Sequence, residues 1–144
     1  MKSSIVFACC LVAANAFAAP CDGVNKEVSE SQRAAYAPAI EVHLNKQLGP
    51  NIQKVIKTEP GDVLSVMQFG KWHIVKVNGH ITTEPFLFYR DSPLESSGYV
   101  SIWANTVEAD DGDEVLQWEA LKVRGIPKEL AGCFAWQVTQ GPKS

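Results

Sequence analysis

Three polar residues, Gln68, His73 and Glu84, have the types and spacing that best fit catalytic chemistry in this sequence. The dipeptides at 70–71 (Gly-Lys) and 78–79 (Asn-Gly) are both two-residue hairpin signals. Turns there would set Gln68 opposite His73, and His73 opposite Glu84, on three neighbouring strands. Because a carboxylate beside an imidazole raises its basicity and orients it, the row predicts a general base. The alternative is a cross-strand polar cluster at the rim of a sheet, since no Ser, Thr or Cys nucleophile is placed beside it.

A second candidate is the acidic segment 108–114, in which we single out Asp110, Asp111, Asp113 and Glu114 as binding residues. The Asp111-Gly112 dipeptide predicts a hairpin turn, so these carboxylates would form its tip. An EF-hand calcium loop needs an oxygen ligand five residues before the glycine, where this chain has Val107. The segment is then either a solvated hairpin tip or an electrostatic contact for a cationic protein partner.

The histidines do not predict a metal site. His73 and His80 would share one face of the expected hairpin, but about 13 Å apart by strand rise, and His43 belongs to a different element. The sequence has no phosphate loop, nucleophile elbow, zinc-binding helix or cofactor fingerprint. We therefore expect no metal and no cofactor.

Residues 1–18 have the pattern of a secretory signal peptide. Lys2 supplies the positive charge, residues 5–14 form an apolar run too short to span a bilayer, and residues 16–18 (Ala-Phe-Ala) form a cleavage motif. We expect cleavage after Ala18, which leaves one domain over 19–144 in the periplasm or outside the cell. No other stretch is long enough to span a membrane.

Two of the four cysteines, Cys21 and Cys133, lie outside this leader. In an exported protein an even pair predicts one disulfide, and only one connectivity exists. The bond would tie the start of the mature chain to a segment near its end.

The charge balance argues against two classes of partner. The 144-residue chain has 13 Lys and Arg against 16 Asp and Glu, and the acidic excess lies in residues 61–144. An acidic chain without a basic stripe is unsuited to nucleic acid or an anionic membrane surface. It suits a cationic protein partner.

The elements that would position these residues are one helix followed by strands. A four-residue repeat of apolar residues predicts a helix over about 25–48 that Pro38 would kink, with the stripe Tyr36, Ile40, Leu44 and Leu48. After Ile52 the pattern is β, with strands expected at about 62–69, 72–77, 80–90, 99–107, 113–122 and 132–139. The predicted fold class is α+β: an N-terminal helical segment packed on an antiparallel meander of about six strands. A curled, barrel-like sheet is the alternative.

Both faces of the first predicted hairpin are apolar. Val66 and Val75 share one face, and Met67 and Ile74 share the other. One helix covers only one face, so sheet curvature, the C-terminal strands or a partner must cover the second.

These observations lead to three hypotheses. The first is a small exported protein that binds another protein, as an inhibitor or immunity-type partner does. The second is a small hydrolase that uses His73 with Glu84. The third is a carrier of an apolar ligand between the helix and a curved sheet.

Overall fold

The computed structural model describes residues 19–95 and 97–142. The predicted signal peptide lies outside the described residues. Within them the chain forms a four-stranded antiparallel sheet with helices before and after it, an α+β architecture. The elements in chain order are α1 (Glu30–Gln47), α2 (Gly49–Ile52), a 3₁₀ turn (Pro60–Asp62), β1 (Val63–Phe69), β2 (Trp72–Val77), β3 (Phe86–Tyr89), β4 (Tyr99–Trp103), α3 (Gly112–Lys122) and α4 (Lys128–Thr139).

Helix α1 lies within the predicted range of 25–48 but begins only at Glu30. The Ser29 hydroxyl accepts a hydrogen bond from the Gln32 amide, and the Gln32 side chain accepts one from the Ser29 amide, which is a capping box. Pro38 lies inside the helix on its exposed side. The apolar stripe faces the sheet and is buried at Tyr36, Ile40 and Leu44.

The sheet is a meander in the order β1-β2-β3-β4 and has four strands rather than the predicted six. Its first hairpin has the predicted register, with Phe69 opposite Trp72 and Gln68 opposite His73. Gly70 takes a φ of 58°, the left-handed conformation that a two-residue turn requires.

The second predicted hairpin is wrong. Residues 78–85 form a loop, and β2 pairs with β3 through Lys76 opposite Phe86. Asp62 accounts for the difference, because its backbone oxygen accepts from the Asn78 amide at 2.8 Å and its Oδ1 lies 2.9 Å from His80 Nε2. His80, with a φ of 54°, makes the left-handed turn, so the chain leaves the hairpin path.

The last two predicted strands, 113–122 and 132–139, are also wrong: they fall within helices α3 and α4. Asp111 precedes the first turn of α3 rather than forming a hairpin tip, and Asp113 and Glu114 lie in that turn. Carboxylates there interact favourably with the helix dipole. The buried positions Val115 and Glu119 are four apart, a helical period that the alternation-based prediction overlooked.

The sheet is covered on both faces. On the α1 side the core contains Ile40, Leu44, Val66, Val75 and Leu87. On the other side α3 and α4 cover Met67, Ile74, Phe88 and Trp103, and Phe134 of α4 packs in the same core. The C-terminal segment therefore covers the second apolar face, as helices rather than as strands, and Trp118 packs on Trp103 with ring centroids 4.7 Å apart.

Cys21 and Cys133 form a disulfide, as predicted, with their Cα atoms 4.6 Å apart. Cys133 is buried in α4, and Cys21 packs against the same core. The bond fixes the N-terminal segment against α4.

The crosslink has a measurable effect on stability. We expect Cys21→Ser to lower the free energy of unfolding by about 2–5 kcal/mol, because the unfolded chain regains the entropy of a long loop. Denaturant unfolding of the variant and of the oxidised wild type measures the difference. Free-thiol titration of denatured, non-reduced wild type should find no thiol over residues 19–144; two reactive thiols would contradict the pairing.

Candidate functional site

The predicted row is replaced by a different row of side chains on the α1 face of the sheet. Gln68 lies opposite His73 as expected, but His73 lies opposite Tyr89, and Tyr89 lies opposite Tyr99. Glu84 is absent from the row because it belongs to the 78–85 loop. The predicted His73–Glu84 pair is therefore wrong.

His73 is occupied by structural contacts. Its side chain is buried, and its Nδ1 lies 2.8 Å from the Lys71 carbonyl oxygen and 3.1 Å from the Asp91 carbonyl oxygen. Nδ1 therefore donates its proton to backbone on both sides of the ring. Burial lowers the pKa of His73, although the two carbonyls act in the opposite direction. The imidazole joins the first hairpin turn to the segment after β3.

His43 meets the same row from α1. Its Nδ1 lies 2.9 Å from the Tyr89 hydroxyl, and its ring stacks on Tyr99 with centroids 5.0 Å apart. Burial, and secondarily Lys46, lowers the pKa of His43. Burial raises the pKa of Tyr99 to about 12 and that of Tyr89 further, so both phenols stay protonated at neutral pH.

The sequence analysis missed this contact. His43 follows Tyr36 by seven residues, a spacing that places both on one face of α1, and this was the available signal.

Glu84 instead pairs with Lys76, with 2.8 Å between Oε2 and Nζ. Lys76 is three residues along β2 from His73, about 10 Å by strand rise, and faces the opposite side of the sheet. No general base is assembled from His73 and Glu84.

The Lys76–Glu84 pair lines two neighbouring cavities at one end of the sheet. The first, of about 320 Å³, lies between residues 64–67 of β1, Lys26, and Gln137 of α4. The second, of about 360 Å³, lies between the 82–84 segment, the 105–107 segment after β4, and the end of α4. Because both are lined by Lys76, Glu84 and Gln137, we treat them together as the end groove.

The end groove carries hydrogen-bonding side chains that the fold does not use. Within the described residues, no hydrogen bond is made by the side chains of four of its lining residues, Thr82, Thr83, Asn105 and Thr106. Phe86 and Trp103 add aromatic surface to the lining. A concave site with a few free polar groups and aromatic surface is suited to binding a ligand.

The acidic candidates lie beside this groove. Asp110, Asp111, Asp113 and Glu114 surround the start of α3, and all but the half-buried Asp111 are exposed. Asp111 is partly engaged, since its Oδ2 accepts from the Glu108 amide at 2.7 Å. The preceding Val107 lines the second cavity, so the segment borders the groove.

Glu119 is a buried carboxyl that sequence reasoning did not single out. It is 1% exposed, and neither carboxyl oxygen has a hydrogen-bond partner among the described residues. Burial raises the pKa of Glu119 to about 9, so the group is protonated at neutral pH. The helical spacing from Val115 was the signal for its burial.

Two further findings concern metals and membranes. Across residues 19–95 and 97–142, no three His, Cys, Asp or Glu side chains come together in a way that could hold a metal ion. No helix in the same residues is long and apolar enough to cross a membrane.

Comparison with known proteins adds no relative. No protein-family model, curated protein or solved structure matches this chain.

His73 and Glu84 should respond differently to substitution. We expect His73→Gln to lower the free energy of unfolding by about 1–3 kcal/mol, because a buried polar network is disturbed. We expect Glu84→Gln to change it by less than about 1 kcal/mol, because the Glu84 side chain is 42% exposed. Parallel denaturant titrations compare them, and equal losses would contradict the assignment of His73 as the structural residue.

Glu119 should make stability pH-dependent. The folded-state pKa is raised from 4.5 to about 9, so stability is fully present below about pH 4.5 and falls as the pH rises towards 9. The slope reaches at most about 1.4 kcal/mol per pH unit.

Glu119→Gln should remove this slope, because glutamine has no proton to lose. Unfolding free energies measured from pH 5 to pH 9 test this, with Glu114→Gln, an exposed position on the same helix, as the control. If the wild-type and Glu119→Gln profiles run parallel, the buried carboxyl is not the titrating group.

Proposed function

We propose that this is an exported protein that acts by binding another polypeptide in the end groove, as an inhibitor or immunity-type partner does. The observation that carries the proposal is that the Lys76–Glu84 pair lines two neighbouring cavities. The two cavities share this pair and Gln137 as lining residues, so a ligand that occupies both contacts β1 on one side and the 105–107 segment on the other. A polypeptide segment is long enough to occupy both cavities, which favours it over a compact ligand.

The use of polar groups supports this location. At the histidine row, His73 donates to backbone and His43 contacts the Tyr89 hydroxyl, so those ring nitrogens serve the fold. In the end groove, the side chains of Asn105 and Thr106 make no hydrogen bond to the described residues. Amide and hydroxyl side chains of this kind can hydrogen-bond a bound main chain.

The charge near the groove supports a partner with positive charge. Asp110, Asp113 and Glu114 are exposed, and they follow Val107, which lines the second cavity, within seven residues along the chain. Complementary charge steers association and contributes to specificity more than to affinity.

The disulfide supports export. The Cys21–Cys133 bond is compatible with an extracellular location, because such bonds persist in oxidising compartments. Periplasmic or secreted localisation, with cleavage of residues 1–18, is part of the proposal.

The two alternative hypotheses lack support in the geometry. The hydrolase needs a His73–Glu84 pair, and Glu84 pairs with Lys76 instead. The carrier needs an apolar space between α1 and the sheet, where Ile40, Leu44 and Leu87 are fully buried in one packed core.

Site-specific photocrosslinking tests the proposal. A benzoylphenylalanine replaces Asn105 in the groove, and in the matched control it replaces Glu95, an exposed residue in the segment at the opposite end of the sheet. After irradiation in the envelope and secreted fractions of the source cell, we expect a discrete polypeptide adduct from the Asn105 position only. Equal adducts from both positions, or none from Asn105, would contradict groove binding.

A further inference from the structure

The outer edge of the sheet within the end groove has an open pair of backbone groups. β1 is an outermost strand. Gln68 exchanges two backbone hydrogen bonds, both 2.8 Å, with Asn25 of the N-terminal segment, so the N–H and C=O of Gln68 point away from β2. In an antiparallel strand this direction alternates from residue to residue, so Val66 presents its N–H and C=O to the same outer edge.

The outer edge of β1 already makes hydrogen bonds on either side of Val66. On one side Asn25 pairs with Gln68. On the other side the Arg33 guanidinium donates to the Val63 carbonyl, and a bulge at Leu64 interrupts the ladder. Within the part of the chain that the structure describes, the outward N–H and C=O of Val66 have no backbone or side-chain partner.

The first cavity lies against this open pair. It is lined by residues 64–67 of β1, and the side chain of Val66 points into the core on the α1 side. Because the other walls include Gln137 of α4 and Lys76, the cavity lies on the opposite side of the sheet and touches Val66 through its backbone. Val66 is only 4% exposed, so its backbone groups lie at the floor of the cavity rather than on open surface.

Buried backbone groups are almost always paired with other backbone, with side chains or with water, so an N–H and C=O left open beside a cavity are available to a partner from outside the fold. From this we infer that the bound polypeptide adds to β1 as an extended segment, exchanging two main-chain hydrogen bonds with Val66. The inference rests on the proposed function and names the binding mode.

The existing Asn25–Gln68 bridge favours an extended occupant, because it shows that the outward N–H and C=O of Gln68, two residues along the same edge, already pair with another backbone segment. The side walls suit main-chain recognition too. The Gln137 amide and the Lys26 ammonium line the cavity on the side facing α4. Strand addition of this kind takes affinity from main-chain bonds and specificity from the side-chain walls.

The test uses a random dodecapeptide display library selected on the immobilised, oxidised 19–144 protein. Selected peptides are synthesised and titrated against wild type, Val66→Pro and the matched control Val66→Ala. Proline removes the outward N–H without removing a β1–β2 ladder bond, which makes it tolerable on an edge strand. We expect Val66→Pro to weaken binding about tenfold or more, and Val66→Ala to weaken it clearly less.

A ligand-side measurement covers the case in which Val66→Pro does not fold. The selected peptide is N-methylated at alternate backbone amides and titrated against wild type. Two versions are compared, one methylated at the odd-numbered amides and one at the even-numbered amides. We expect one version to lose binding and the other to bind nearly normally, because only one of the two sets of amides faces β1.

The outcomes separate the two claims. Strand addition is contradicted if the selected peptides bind Val66→Pro normally, or if both methylated versions still bind wild type. Either result leaves groove binding itself intact. A library that yields no binding peptide contradicts polypeptide binding itself, and strand addition with it.

Discussion

The rest of the structure depends on one constraint: the first hairpin has apolar side chains on both of its faces. The register set at Gly70 places Val66 and Val75 on one side and Met67 and Ile74 on the other, and all four are buried. At roughly 25 cal/mol per Å² of apolar surface, neither face can stay in water without a large cost. A helix before the sheet and two helices after it cover the two faces, which makes the three-layer arrangement necessary.

This arrangement also determines where binding is available. The helices cover the faces of the sheet but leave one end and one edge of it lined by side chains with unused hydrogen-bonding groups. The disulfide holds the N-terminal segment against α4, and Lys26 of that segment forms a wall of the first cavity. The crosslink thus shapes the groove as well as stabilising the fold.

The sequence predicted local features better than distant ones. The α1 stripe and the first hairpin register depend on neighbouring residues, and both are confirmed. The second hairpin failed because Asp62, distant in sequence from the predicted turn, holds Asn78 and His80. No local turn signal contains that contact.

The wrong prediction of a strand at 132–139 has a different cause. Phe134, Trp136 and Val138 alternate as a strand would, yet the segment is helical because Leu130 and Phe134, four apart, are both fully buried. Phe134 and Val138, four apart and packed in the same core, fit both the two-residue period of a strand and one turn of a helix, so their spacing did not distinguish the two.

The candidate site residues were likewise predicted correctly where a local turn positions them and incorrectly where distant segments do. Gln68 and His73 were placed together correctly because one tight turn sets their register. Glu84 was misplaced because it followed the failed hairpin, and the end groove could not be predicted because its lining residues come from six separate segments of the chain.

The most direct measurement of the central claim is an amide chemical-shift map of the isotope-labelled 19–144 protein, titrated with the polypeptide that it binds. The account predicts that the largest shifts fall in 64–67, 82–84 and 105–107, while His43, His73 and Tyr89 stay unchanged. Shifts centred on the histidine row, with residues 64–67 and 105–107 unaffected, would contradict it.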